Sequence, residues 1–362
     1  MLSNYTEKTR RRKTLQVSSL IKLQRQSSKS SYNKGRNIKT IGPFQPANSR
    51  RILYFPKNKS NFQTMKSLDP EQQHIFVETN NIRLHCVSQG EGELVILLHG
   101  FPEFWYSWRH QIPALARHFK VVVPDLRGYN DSDKPESGYD LDTLSADIRG
   151  LIDRLGYTKA HIVGHDWGGA IAWHLAQKFP EKLNRLAILN APHPQRFVQE
   201  MASNLDQLRR SWYVLAFQVP GIPEWLIRQN LKDFVHNVFQ GQAIRKGAFS
   251  AEEAQIYQAA LEKPGVLSAA INYYRQMFHP QRMWNLGQKW EMVNVPTLVL
   301  WGEEDTFLSH KLVEGLDRLI TAPFQLKLVP NCGHWIQQEA PQTVNRELLS
   351  FLRNSSPSLA LT

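Results

Sequence analysis

Three residues of this 362-residue chain have types and spacing suited to covalent chemistry: Asp166, Asp305 and His334. Asp166 is the centre of VGHDWGGA (163–170), with Gly164 and Gly168 two residues to either side and Gly169 following. Glycines so placed mark a turn where two backbones approach too closely for side chains. The central residue is then held in a strained conformation with its side chain projecting. The helix N-terminus behind it favours negative charge. A carboxylate, with an ordinary pKa near ~3.9, is already ionised at neutral pH. It can displace a leaving group from saturated carbon without losing a proton first, which leaves an alkyl ester on the protein. Taken alone, GxDxGG also suits a glycine-rich strand–helix turn with an N-cap aspartate. Asp305, in WGEEDTFL, and His334, in NCGHW, each follow a predicted strand. A histidine after the last strand, with an acid after the strand before it, forms a pair in which the acid orients the imidazole as a base for water. Glu303 and Glu304 compete for the acid role; Asp305 is preferred by position, and the glutamates read as solvated loop charges. Cys332 lies two residues before His334, but no activating partner is adjacent and it reads as a small loop residue.

The elements that must position these residues alternate along the chain. HIFVET and IRLHCVS have the period of strands and are joined by Asn80–Asn81, a hairpin signal. LVILLHG, KVVVPDLRG, AHIVGHD, LNRLAILN, VPTLVLWGEED and FQLKLVPNCGH read as further strands. Between them, FWYSWRHQIPALARHF has helical spacing that Pro113 bends or divides. LDTLSADIRGLIDRLG (141–156) places apolar residues at 141, 144, 148, 151, 152 and 155, a helix face stopped at Gly156. Helices also follow in GGAIAWHLAQKFP and APQTVNRELLSFLRN. Strand–helix alternation predicts an α/β fold: a mainly parallel eight-stranded sheet with helices on both faces and an antiparallel edge. The alternation stops after APHP (191–194). Residues 195–292 are helical and aromatic-rich, so the core is expected over 65–194 and 293–362, with 195–292 inserted as a helical lid. Ligands bind at the carboxyl edge of such sheets, where this insertion would sit.

Bulk composition excludes several classes of function. Two cysteines, Cys86 and Cys332, rule out a disulfide scaffold and a structural zinc site and fit a reducing compartment, the cytoplasm. No apolar run approaches the roughly 18–20 residues of a membrane span. The formal charge of +12 is not evenly spread. Residues 1–64 hold 15 Lys and Arg against the single acid Glu7, so the remainder is close to neutral. This Ser-, Asn- and Gln-rich segment, with RRRK at 10–13, is expected to be disordered. It reads as a nucleic-acid or membrane arm, a transit-type presequence, or no part of the functional protein. The third reading is preferred, with Met65 as the natural start, so no nucleic-acid partner is expected.

The segments HGFPEFWYSWR, DLRGY, GHDWGG, WGEED and CGHW resemble the epoxide hydrolases of the α/β-hydrolase superfamily, over about residues 70–355. The order Asp166, Asp305, His334 matches nucleophile, acid and histidine in α/β-hydrolases. The resemblance implies an α/β-hydrolase fold, no metal or organic cofactor, and an oxyanion hole made by the backbone N–H groups of Phe101, in HGFP, and Trp167. Asn130 stands in RGYNDSD where relatives usually have glycine; asparagine tolerates the left-handed conformation. The family also uses two lid tyrosines to protonate the epoxide oxygen. The matching positions are Tyr213, in SWYVLAFQVPG, and Tyr274, in INYYRQMF, with Tyr273 as an alternative.

The expected reaction is addition of water to an epoxide to give a vicinal diol. A haloalkane or haloacetate dehalogenase with the same nucleophile is the alternative. Haloalkane dehalogenases commonly have asparagine where this chain has Phe101, and a haloacetate enzyme would be expected to have arginine where Trp167 stands. Trp105, Trp108 and Phe217, with Tyr106, Trp212 and Trp225, suggest an apolar pocket for a small lipophilic epoxide, although each equally suits core packing.

Overall fold

The structure, a computed structural model, describes residues 71–277 and 291–353. The basic segment 1–64, Met65 and residues 278–290 of the expected lid lie outside the described residues.

Eight strands form one sheet: β1 (Gln73–Thr79), β2 (Ile82–Gln89), β3 (Leu94–Leu98), β4 (Lys120–Pro124), β5 (Ala160–His165), β6 (Leu183–Leu189), β7 (Thr297–Gly302) and β8 (Phe324–Val329). Their spatial order is β1-β2-β4-β3-β5-β6-β7-β8. β1 and β2 pair antiparallel, as do β2 and β4, and every other pairing is parallel. The β1–β2 turn puts Asn80 at φ +44° and Asn81 at φ +60°, the left-handed pair that a two-residue hairpin needs. Asn130 also takes a left-handed φ of +40°.

The parallel strands inside the sheet, from β4 to β7, are buried on both faces, while the edge strand β8 is largely exposed, so the inner apolar runs divide by alternation. Ile96, Leu98, Ile162, Ile188 and Trp301 pack on one face, and Val95, Leu97, Val163, Leu189 and Leu300 on the other. The first face is covered by α2 (Leu141–Arg154) and α3 (Trp167–Lys178). The second is covered by α1 (Ile112–Ala116) and α12 (Pro341–Arg353), which follows the short α11 (Ile336–Glu339). The α2 boundaries follow local chemistry: Asp140 caps its N-terminus by accepting from the Thr143 N–H, and Gly156 takes φ +84° just beyond its end. The helix expected over 104–119 is divided. A 3-10 turn spans Trp105–Trp108, and α1 begins afresh with Pro113 in its first turn, where the missing N–H costs nothing.

Between β6 and β7 the chain runs through α4 (Pro194–Ser203), α5 (Leu205–Arg210), α6 (Trp212–Ala216), α7 (Ile222–Gln229), α8 (Leu231–His236), α9 (Ala251–Glu262) and α10 (Val266–Met277). The described part of this insertion contains no strand. The chain direction reverses between β3 and β5, since β4 lies on one side of β3 and β5 on the other. This is a topological switch point, where loops at the carboxyl edge splay apart and leave a crevice.

Candidate active site

Asp166 occupies that crevice, one residue beyond β5 and one before α3. Its backbone sits at φ +49° and ψ −119°, costly for a non-glycine residue at about 1–3 kcal/mol. Packing enforces this geometry: a Cβ at Gly164 would overlap the Gly168 carbonyl, and one at Gly100 would overlap the Asp166 side chain itself. The Phe101 N–H, from the loop after β3, donates to Asp166 Oδ1 at 2.7 Å. The Trp167 N–H also interacts with the carboxylate. Burial pushes the Asp166 carboxyl above the usual carboxylate range, against the opposing pull of His334, His165 and these two N–H groups.

His334 approaches from the loop after β8, with Nε2 3.7 Å from Asp166 Oδ2. Its Nδ1 lies 2.7 Å from Asp305 Oδ2. Asp305 is held in turn by N–H groups of Phe307 (2.8 Å) and Leu308 (2.9 Å) on Oδ1 and by Asn190 Nδ2 (2.7 Å) on Oδ2. Burial alone would raise Asp305, yet His334, Asn190 and the Leu308 N–H hold it below the ordinary range. Burial would depress His334, but Asp305 and Asp166 outweigh it and lift the imidazole to about 9. Glu304 donates its backbone N–H to the Cys332 carbonyl, and the Glu303 and Glu304 side chains are exposed. The Cys332 thiol is buried and pushed up to about 12 by that burial, so it stays protonated.

A cavity of about 450 Å³ opens beside Asp166 and Trp167, closed over by Tyr213, Val214, Tyr273 and Tyr274 from the insertion. Cavities of this size suit small ligands. Tyr213 and Tyr274 are in side-chain contact, their rings 5.8 Å apart and nearly perpendicular. Burial, followed by the neighbouring Asp166 charge, holds the Tyr213 hydroxyl well above its usual pKa; burial and then Tyr213 do the same to Tyr274. Both are protonated donors at neutral pH. Tyr273 differs, because its hydroxyl donates to the Arg127 carbonyl at 2.7 Å.

The three aromatic residues expected in the pocket are placed elsewhere. Trp105 and Trp108 belong to the core on the far face of the sheet, Trp108 fully buried, and neither lines this cavity. They sit in the 3-10 turn between the crevice loop and α1, which carries them beneath the sheet. Phe217 packs behind the wall, with ring centres 5.1 Å from Tyr274, 5.7 Å from Phe101 and 5.8 Å from Tyr213, and does not reach the cavity surface. Trp212 and Trp225 are exposed.

Several residues that the sequence did not single out support the site. Asn190, directly after β6, bridges Asp305 Oδ2 and the Gly302 N–H (2.9 Å). Glu103, fully buried, accepts from Gly100 N (3.2 Å), Gln337 Nε2 (3.0 Å) and Gln338 Nε2 (2.8 Å), and pairs with His165 Nδ1 at 2.9 Å. The other nitrogen of His165 contacts the His334 carbonyl at 2.9 Å. One buried hydrogen-bond network thus joins the loop donating to Asp166 with the loop carrying His334. Arg210 of α5 donates to the Asp305 carbonyl at 2.7 Å, tying the insertion to the acid loop. The available signal was a polar residue at or just past the carboxyl end of a buried strand, in LNAP and HGFPE. Among the described residues, His85, Asp125 and Asp131 are close enough to share a metal ion, but Asp131 is bound by Lys263 at 2.6 Å and the cluster is not part of this crevice.

Comparison with known proteins agrees with this architecture. A family model described as the alpha/beta hydrolase fold matches residues 93–341. Mouse epoxide hydrolase 4 is 39% identical over 291 residues, covering 78% of this chain and 80% of that protein. An AB hydrolase superfamily protein of Bacillus subtilis is 42% identical over 284 residues, covering 77% of this chain and 97% of its own. The crystal structure of a Bacillus megaterium epoxide hydrolase in complex with an inhibitor superimposes with a TM-score of 0.71 at 32% identity, covering 77% of this chain and all of that one.

Proposed function

Because the chain belongs to the α/β-hydrolase fold family, and within it to the epoxide hydrolases, we propose that Asp166 opens an epoxide in two steps through an ester on its own carboxylate. The observation that carries this reading is the sandwich at one carboxylate: the Phe101 N–H on Oδ1, imidazole beside Oδ2, and two phenols over the same cavity. In the first step Asp166 Oδ2 attacks a ring carbon, the carbon–oxygen bond of the epoxide breaks, and the departing oxygen takes a proton from Tyr213 or Tyr274. An alkoxide is a poor leaving group, which is why the acid is needed; the tyrosines are fully protonated and desolvated.

In the second step water attacks the ester carbonyl and gives its proton to His334 Nε2. The oxyanion forms on Oδ1, to which the Phe101 N–H already donates, with the Trp167 N–H beside the same carboxylate. On collapse the departing alkoxide takes the proton of the newly formed carboxylic acid, which releases the vicinal diol and restores the carboxylate beside the imidazolium. The His334 environment supplies the timing. While Asp166 is charged, the imidazole is held protonated, at about 9. Esterification removes that neighbouring charge, so the imidazole pKa falls; its proton returns to the tyrosinate left by the first step, which leaves the base form to activate water. The insertion acts as a lid, excluding bulk water and supplying the acids. An apolar wall of Phe197, Val214, Met277 and Leu308 suits a small lipophilic epoxide.

Halide abstraction has less support. The Phe101 side chain offers no donor, and the Trp167 side chain is engaged with Tyr274. The test is a single turnover in labelled water. The label is expected in Asp166 first, Asp166→Ala is expected to abolish diol formation, and His334→Gln is expected to accumulate an alkylated protein. Diol formation by Asp166→Ala would overturn the assignment.

A further inference from the structure

The outer side of the insertion carries an apolar stripe that the reaction does not use. From α5 to α7, large apolar residues recur at 205, 208, 212, 215, 219, 222 and 226, three or four residues apart, and all are exposed. Trp212 keeps 67% of its surface in solvent and Trp225 keeps 59%. Such spacing normally marks the buried face of a helix. Here the inward positions are taken separately: Tyr213 and Val214 line the cavity, while Trp212 and Leu215 on the same short helix face out. Exposed large apolar residues recurring in this way mark an interaction site.

We propose that this stripe docks the protein on a lipid surface, in the interfacial plane and without spanning it. The geometry disfavours a helical partner or a second copy meeting along a coiled seam. The stripe is broken between α5 and α6 at Ser211, and again between α6 and α7, where Gly221 takes φ +77°; a knobs-into-holes seam needs one continuous helix. A bilayer accepts an irregular apolar face and places indoles at its headgroup level. Charge points the same way. Asp206 is paired with Arg210 at 2.8 Å and Glu224 with Arg275 at 2.7 Å. Arg209, Arg228 and Lys232 are exposed beside the stripe, against exposed Asp233. Docking sets the cavity wall one residue layer from the bilayer. No described helix is long and apolar enough to cross a membrane, as an interfacial mode requires.

The test uses the full chain and pelleted vesicles of phosphatidylcholine mixed with phosphatidylglycerol. Trp212→Ser/Trp225→Ser/Leu226→Ser is expected to partition about tenfold less than wild type or worse, at low and high salt alike, because the substitutions remove apolar surface and no charge. Its turnover of a water-soluble epoxide is expected to be unchanged, which separates this inference from the proposed reaction. Independently, brominated lipid is expected to quench wild-type tryptophan fluorescence. Equal partition of variant and wild type, or absence of quenching, would overturn the proposal. So would a wild-type dimer, seen by sedimentation velocity, that the three substitutions dissolve without any effect on vesicle binding.

Discussion

Replacing Asp305 by asparagine is expected to separate the two proposed chemical steps. His334 is lifted from 6.5 to about 9 in the folded protein. That is about 3 kcal/mol in favour of the imidazolium at ~1.36 kcal/mol per unit, and Asp305 is the largest favourable contributor to it. In ester hydrolysis the imidazole becomes cationic as it takes the proton from water. Losing the carboxylate 2.7 Å from Nδ1 therefore costs up to about 3 kcal/mol in that step, on the order of a hundredfold in rate. In the proposed scheme alkylation draws its proton from Tyr213 or Tyr274 and needs no base. Its rate is expected to stay within a few-fold of wild type. Stopped-flow tryptophan fluorescence follows alkylation, since Trp167 adjoins Asp166, and mass spectrometry of quenched samples counts the ester on the peptide holding Asp166. The expected result is near-normal alkylation, accumulated ester and slow diol release. Equal slowing of both steps, or a wild-type rate of diol release, would refute the reasoning.

The other expectations concern different parts of the site. Tyr213→Phe and Tyr274→Phe should each slow alkylation by about 10–100-fold and leave ester decay unchanged, read by the same stopped-flow traces. Asn190→Gly, which preserves the left-handed φ of +40°, removes a charge-assisted hydrogen bond worth about 1.5–3 kcal/mol and should slow ester hydrolysis about tenfold or more, as a weaker copy of the Asp305 change. The folded His334 pKa lies above its unfolded value, so its contribution to stability is complete below about pH 6.5 and is lost as pH rises through about 9. The stability gap between wild type and His334→Gln, from denaturant melts, should therefore shrink by about 3 kcal/mol across that window. Trp108→Ala should cost about 3–5 kcal/mol of stability while leaving the relative rates for different epoxides unchanged, because the side chain fills the core on the far face of the sheet.

The sequence was most informative where a residue is governed by close chain neighbours. Strand alternation is one such case: Ile96 and Leu98 face one way and Val95 and Leu97 the other, whatever lies beyond them. The Asn80–Asn81 turn and the glycines around Asp166 are others, since their conformations are dictated by sterics within a few residues. The positions of Asp305 and His334, each in a loop after a strand, followed from the same local periods. The aromatic residues were misplaced for the opposite reason. Trp105 and Trp108 lie close in sequence to Phe101, but a 3-10 turn sends them below the sheet.

Two neighbouring tyrosines show the division most sharply. On one helix, Tyr273 and Tyr274 are chemically identical. The Arg127 carbonyl, 146 residues away in the chain, takes the hydroxyl of the first and leaves the second beside Tyr213. The charge state of His334 is likewise set by carboxylates distant in sequence, as is the support given by Asn190 and Glu103. The sequence by itself determined which groups are present, the order of the strands that carry them, and the strained turn at Asp166, because those depend on backbone geometry and short-range exclusion. Which hydroxyl faces the cavity, which indole meets solvent and which imidazole holds its proton were decided only by tertiary packing, because burial and Coulomb interactions depend on distance through space.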